Sequence, residues 1–340
     1  MISIINKDDE RIDFAYITSS RELALDEKVG SIVINPNNRE NYGYREGNLE
    51  SLARRIKDRR TEFAQRFNLT AIIVDDDDYQ YNMAWQQAEI WPRDMLVPIR
   101  LEDGDLTTRV TLENITLRIP SYPWKNLRRL EGEAIEVFRE RKSSAKAEYE
   151  MKILDYLRFI NVDLIVSDSY MTFFGPTLLN TYGGRILNIH PAILKDDDPN
   201  KLPGPFPTRD AFTRAVYGYI IIDDKKVGIP EGRQIQVEYE GQPRTAVSVP
   251  RNNVTGVTVH VVTEDVDEGP VVLYRSYAFE ANGITPEAIR NMNYAIKREL
   301  LPEAMLRYIE MPHVIRLIAE GSKENKMYPV VEGYYNYQMR

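Results

Sequence analysis

Short apolar runs bounded by polar or turn residues alternate along the chain with longer stretches of helical period. That pattern predicts strands joined by crossover helices, and hence a mostly parallel sheet. Strands are expected over Asp13–Thr18, Ser31–Asn35, Thr70–Val74 and Met95–Ile99. Between the second and third lies Asn48–Phe67, whose apolar positions Leu52, Ile56, Phe63 and Phe67 recur as on a helix. A later helix, with Ser143 or Ser144 as N-cap, carries Ile153, Leu154, Leu157 and Ile160 on one face. It leads into Val162–Val166, an almost wholly apolar run of the kind found in central parallel strands. After the turn Gly183-Gly184 comes strand Arg185–Ile189, then a long loop Lys195–Pro207 and a helix Ala211–Tyr217. Strands Val257–Val262 and Val271–Ala278 follow, and Thr285-Pro286-Glu287 starts a helix with Pro at its first position.

Two stretches interrupt the alternation. Residues 100–142 hold Pro120, Pro123, a strand-like Ile115–Ile119 and a charged helix near Leu130–Arg139, and read as an inserted arm. Residues 219–251 read as a second insertion, in which Tyr219–Val249 forms two or three antiparallel strands with turns at Asp223-Asp224 and Glu240-Gly241. The expected organisation is therefore one α/β domain over 1–310, decorated by these two insertions, with a C-terminal extension over 311–340. The aromatic tail (Tyr328, Tyr334, Tyr335, Tyr337) has two readings, packing on a second copy in a homodimer or docking on its own core.

Composition narrows the chemistry. With no Cys among 340 residues, disulfides, thiolate zinc sites and cysteine nucleophiles are excluded. A net charge of −8 argues against a nucleic-acid surface, and the basic cluster Arg54-Arg55-Ile56-Lys57-Asp58-Arg59-Arg60 reads as a solvated helix face. No apolar run approaches the roughly 18–20 residues of a membrane span. The N-terminus lacks a basic segment followed by a long apolar one, so a cytoplasmic protein is expected. The run Asp75-Asp76-Asp77-Asp78 is expected to be a solvated loop rather than a magnesium site.

The most informative segment is Gly184-Arg185-Ile186-Leu187-Asn188-Ile189-His190-Pro191. On a strand, Asn188 and His190 point to the same face. An amide donor beside an imidazole, at the carboxyl end of a parallel strand, can serve as oxyanion donor and acid/base group. A capping Asn and a structural His would read the same way. Further on, a strand carrying His260 runs into the acidic loop Thr263-Glu264-Asp265-Val266-Asp267-Glu268, closed by Gly269-Pro270. A carboxylate held beside an imidazole would raise its pKa and orient it, and Asp267 is the candidate because the Gly-Pro turn fixes its loop. A merely solvated acidic loop is the other reading.

Together, Asn-x-His-Pro, Thr-Gly-x-Thr-Val-His (Thr255–His260) and Asp-x-Gly-Pro (Asp267–Pro270) resemble the folate-dependent formyltransferases, most of all the glycinamide ribonucleotide formyltransferase type. Asp163-Leu164-Ile165-Val166-Ser167-Asp168-Ser169-Tyr170-Met171 and Leu300-Leu301-Pro302-Glu303-Ala304 are similar to further segments of that family. The resemblance covers about 145–218 and 252–310 and is thin over 1–100. It implies a Rossmann-like formyltransferase fold. It also implies transfer of a formyl group from 10-formyltetrahydrofolate, without a metal, to an amine of a small molecule such as a nucleotide or sugar derivative. That is one-carbon chemistry of the kind used in purine biosynthesis. By the same resemblance, Asn188 would donate to the oxyanion, His190 would move the proton and Asp267 would hold His190. His260 would be structural or act through its neighbours. The pterin would lie against Met171, Thr172 and Phe173 and against the loop with Val262, Thr263 and Asp265.

Departures from the family pattern fall on the acceptor side. The stretch after the first strand, with Ser19, Ser20 and Arg21, has none of the glycines that cradle a phosphate. A His expected in the loop after the active-site strand is replaced near Thr208-Arg209, and positions that would contact the acceptor read Tyr294 and Lys297. The resemblance therefore implies the same reaction on a different amine. The alternatives are hydrolysis of the formyl donor and a non-catalytic folate- or nucleotide-binding module. Pro191, where the hydrolases carry Ser, counts against the first.

Overall fold

A computed structural model describes residues 11–19, 32–34, 41–44, 48–76, 96–100, 107–223 and 228–311. The chain divides into two compact units, the first running to Leu187 and the second covering Asn188–Tyr308. The main sheet is mostly parallel, as the alternation predicts. Its strands are β1 (Ile12–Ser19), β4 (Phe67–Asp76), β7 (Thr116–Pro120), β8 (Leu164–Asp168), β9 (Ile186–His190), β13 (Val254–Val261) and β14 (Val271–Ala278), in the order β14-β13-β9-β8-β1-β4-β7. The unit boundary falls inside β9.

In the first unit, β1 pairs in parallel with both β4 and β8, and β4 pairs in parallel with β7. Strand β8 is buried along its whole length, as an apolar run in the middle of a sheet must be. The predicted helix 48–67 breaks in two. Helix α1 (Asn48–Lys57) buries Leu49, Leu52, Ala53 and Ile56, and α2 (Glu62–Arg66) starts at Thr61, whose hydroxyl accepts from the Ala64 amide at 3.2 Å. Phe67 already belongs to β4, and its ring packs with Phe14 and Phe63 at centroid distances of 6.0 and 4.8 Å. The basic cluster does lie on a largely exposed face, with Arg54, Lys57, Arg59 and Arg60 open to solvent.

Several expectations are corrected here. Met95–Ile99 does not join the main sheet. It forms β5 (Leu96–Arg100), antiparallel to β6 (Thr107–Thr111) in a two-stranded ribbon. The strand expected at Ser31–Asn35 is β2 (Ile32–Ile34), paired antiparallel with β3 (Asn41–Tyr44) in another ribbon. The arm at 100–142 contributes β7 to the main sheet rather than standing apart. Its charged helix and the helix beyond it are one element, α4 (Ile135–Phe159), which follows the single turn α3 (Tyr122–Lys125). Ser143 and Ser144 sit inside α4 and do not cap it, because the surrounding Glu, Arg, Lys and Ala are strong helix formers.

Asp75 is no solvated loop residue. It lies in β4, is fully buried, and its Oδ2 receives the Thr172 hydroxyl at 2.7 Å and the Lys125 ammonium at 3.2 Å. Asp77 and Asp78, like residues 312–340, lie outside the described residues.

The first unit also holds α5 (Pro176–Tyr182), and in the second unit α6 (Pro207–Tyr217) ends at Gly218, whose φ of 75° gives the left-handed stop. The second insertion is a three-stranded antiparallel sheet of β10 (Tyr219–Ile221), β12 (Gln242–Ser248) and β11 (Gln234–Tyr239), in that order. Glu240 and Gly241 turn the last hairpin with φ of 52° and 72°, the paired positive angles a two-residue hairpin needs. Strand β14 runs antiparallel to β13. Helix α7 (Pro286–Ile309) begins with Pro, and the Thr285 hydroxyl accepts from the Ala288 amide at 3.1 Å. Among the described residues no helix is long and apolar enough to cross a membrane.

Candidate active site

The end of β9, the end of β13 and the acidic loop that follows bring four side chains of the second unit together. The Nδ1 atom of His190 lies 3.6 Å from Oδ1 of Asp267, and Nε2 of His260 lies 3.8 Å from the same oxygen. Nδ2 of Asn188 lies 3.1 Å from Nε2 of His260. The expected trio of Asn188, His190 and Asp267 therefore converges, with His260 as a fourth member. Both rings are buried, while Asn188 is only half-buried.

Main-chain groups fix which ring nitrogens carry hydrogen. His190 Nε2 is 3.0 Å from the Leu202 carbonyl, and a carbonyl can only accept, so Nε2 carries a hydrogen. The basic nitrogen of His190 is then Nδ1, the one that faces Asp267. Likewise His260 Nδ1 is 3.2 Å from the Val261 carbonyl, which leaves Nε2 as its acceptor. Asp267 holds its place by its other oxygen, Oδ2, which accepts from the Gly204 amide at 2.8 Å. Its φ of 59° is left-handed, a conformation that short polar residues tolerate at modest cost.

Burial pushes the His260 imidazole below its ordinary value, to about 4; the carboxylate of Asp267 opposes this shift and the His190 ring adds to it. The unfolded chain, with His near 6.5, protonates first as acid is added, so the folded state loses stability as pH falls from about 6.5 toward 4. A thermal unfolding series across that range is expected to show a loss of a few kcal/mol in the wild type and a flatter profile in His260→Gln. Equal slopes in the two proteins would remove His260 as the cause.

The loop that carries Asp267 is tightly closed. The Val261 amide donates to the Pro270 carbonyl at 2.9 Å, and a Cβ on Gly269 would lie 1.7 Å from the Val261 carbonyl oxygen. Gly269→Ala is therefore expected to force the loop to move and to lower the melting temperature by several degrees, with activity falling too. A circular-dichroism melt together with an activity measurement checks it.

Sequence reasoning missed the clamps behind His190. Asn293 Nδ2 donates to the Pro191 carbonyl at 3.1 Å, and Asn293 Oδ1 accepts from the Tyr277 hydroxyl at 2.8 Å. The buried Thr258 hydroxyl donates to the Ala192 carbonyl at 2.8 Å and accepts from the Leu194 amide at 3.0 Å. Thr258 stood inside the Thr-Val-His motif, and a small polar residue pointing inward from an apolar strand was the available signal. The Leu202 and Gly204 contacts are main-chain and left no signal in side-chain pattern.

The remaining candidates lie as follows. In the first unit, Ser19 ends β1 with its hydroxyl buried, accepting from the Met171 amide at 2.8 Å. Thr172 is buried on Asp75, whereas Met171 and Phe173 are 40% and 63% exposed. Ser20 and Arg21 lie outside the described residues. In the second unit, Val262 and Thr263 are half-buried and Asp265 is exposed; the Thr263 hydroxyl donates to the Asp265 carbonyl at 3.1 Å. On α7, Lys297 is buried with its ammonium 5.5 Å from the Tyr294 ring centroid.

Comparison with known proteins adds three findings. Residues 122–196 match the family described as formyl transferase. The chain is 27% identical over 168 residues to the phosphoribosylglycinamide formyltransferase of Bacillus subtilis (strain 168), covering 49% of this chain and 65% of that protein. It is 26% identical over 165 residues to the formyltetrahydrofolate deformylase of the same organism, covering 48% of this chain and 41% of the relative. The matches thus span less than two thirds of these relatives. Among solved structures it is similar to PvdF of pyoverdin biosynthesis, an N10-formyltetrahydrofolate-dependent formyltransferase, with a TM-score of 0.62 and 21% identity over 87% of this chain and 98% of that one. At that identity the likeness is one of fold.

Proposed function

We propose that the chain, which matches the formyl transferase family over residues 122–196 and is 27% identical over 168 residues to a phosphoribosylglycinamide formyltransferase, moves a formyl group from 10-formyltetrahydrofolate to an amine of a small-molecule acceptor. One observation carries the reading: an amide, an imidazole and a carboxylate from separate segments meet, with a basic His190 Nδ1 at 3.6 Å from Asp267 Oδ1. In the reaction the amine nitrogen bonds to the formyl carbon and the bond from that carbon to the folate nitrogen breaks. His190 Nδ1 takes the proton the amine gives up and returns it to the departing nitrogen. Asp267 favours the protonated ring, because a carboxylate beside an imidazolium stabilises it. Asn188 donates an N–H to the formyl oxygen as negative charge builds there.

Candidate donor contacts stand in each unit taken by itself. Met171 and Phe173 have apolar surface open to solvent, which fits a flat aromatic ring system. Thr172 supports that segment from behind through Asp75, and Val262, Thr263 and Asp265 offer main-chain groups beside Asp267. For the acceptor, Ser20, Arg21, Tyr294 and Lys297 are the proposed contacts, while Ser19 is fully buried with its hydroxyl engaged by the Met171 amide. The acceptor is a nucleotide or sugar derivative, or another small amine.

The test is direct. The protein is mixed with 10-formyltetrahydrofolate, and release of tetrahydrofolate is followed with and without candidate amines. Turnover only with an amine supports transfer. Turnover in water alone supports hydrolysis, the activity named for the second relative. Binding without turnover reduces the protein to a folate-binding module.

A further inference from the structure

We propose that His260 is a positioning residue: it holds the Asn188 amide with its nitrogen turned toward the ring, so that the remaining N–H of that nitrogen is the one offered to the formyl oxygen. This rests on the formyl-transfer reading above. The geometry is a short relay. His260 Nδ1 lies 3.2 Å from the Val261 carbonyl and Nε2 lies 3.1 Å from Asn188 Nδ2. A carbonyl cannot donate, so the proton of the neutral ring resides on Nδ1 and a lone pair faces the amide. The amide NH₂ carries two hydrogens; one meets that lone pair and the other is left for a ligand.

Turning the amide over would set Oδ1 against the same lone pair. The ring could accommodate it only by moving its proton to Nε2 and giving up Val261, leaving buried polar groups unpaired. His260 is itself buried, so water cannot replace the lost partner. A charged ring would also upset the relay, because protonation of Nε2 turns it from acceptor to donor. The depressed pKa of His260 guards against that near neutral pH. Asp267 and His190 are the other titratable groups facing this ring. Without His260 the amide is free to present either end, and only one end stabilises an oxyanion.

Two measurements on the full-length protein decide it. In ¹⁵N-labelled wild type, with only three His to assign, His260 is expected to show a protonated Nδ1 and an unprotonated, pyridine-like Nε2 between about pH 6 and 8. His260→Ala is expected to lower kcat about tenfold with KM for the folate donor unchanged, the scale of one directing hydrogen bond. His260→Gln, whose side-chain oxygen can accept the same N–H, is expected to recover most of that loss. A protonated Nε2 in the wild type overturns the proposal, as does a wild-type kcat in the Ala variant. If Ala does not fold, the spectrum and the Gln variant still decide. Should no formyl transfer occur with any amine, the preceding functional reading fails while the tautomer still answers this one.

Discussion

Replacing His190 by Ala is expected to lower formyl transfer by roughly 10²–10⁴-fold, the range seen when a positioned acid/base group is lost. The ring is buried. Nε2 is tied to the Leu202 carbonyl and Nδ1 faces Asp267, so the imidazole has a fixed orientation and one free basic atom. Alanine removes both. Tetrahydrofolate release gives the rate, and a melting curve and circular dichroism verify that the sheet survives. Asp267→Asn keeps shape and tolerates the left-handed backbone, yet lowers the rate because a neutral amide no longer favours a protonated ring. The two changes are expected to be strongly non-additive, since each disables the same proton transfer. Wild-type rates in His190→Ala would remove the ring from the mechanism.

Asn188→Ala is the second large effect, expected to cost about 10²–10³-fold in kcat, as loss of one oxyanion donor typically does. Asn188 is half-buried, so its truncation leaves no large cavity. KM for the donor should change little, because the contact strengthens only as charge develops on oxygen. A rise in KM with unchanged kcat would instead mark Asn188 as an ordinary binding contact.

Much of this architecture was legible in the residues. Val271–Ala278 was delimited to the residue, and Thr285-Pro286-Glu287 marked the start of α7, because strand period and helix-start chemistry are local. Asn188, His190 and Asp267 could be picked out as candidates because the short motifs that carry them, at the end of β9 and in the loop after β13, are also local. What failed was non-local. Met95–Ile99 looked like a sheet strand, though Pro98 in its middle already argued for an edge position, where a missing N–H is harmless. Asp75 read as solvated because nothing near it in sequence can neutralise it; its partners Lys125 and Thr172 arrive from distant segments. The single helix α4 overrode a good cap signal, since one Ser cap counts for less than a long run of helix formers.

The two main-chain contacts from the loop after β9 carry a consequence for how this protein can diverge. Leu202 lends the site its carbonyl and Gly204 its amide, so neither contact depends on which side chain stands at its position, although Leu202 also fills the core and Lys201 pairs with Asp196 and Glu268. What both contacts do depend on is the number of residues between Lys195 and Gly204. Insertion or deletion of even one would carry both contacts past their targets, and relatives that keep this constellation should conserve the spacing.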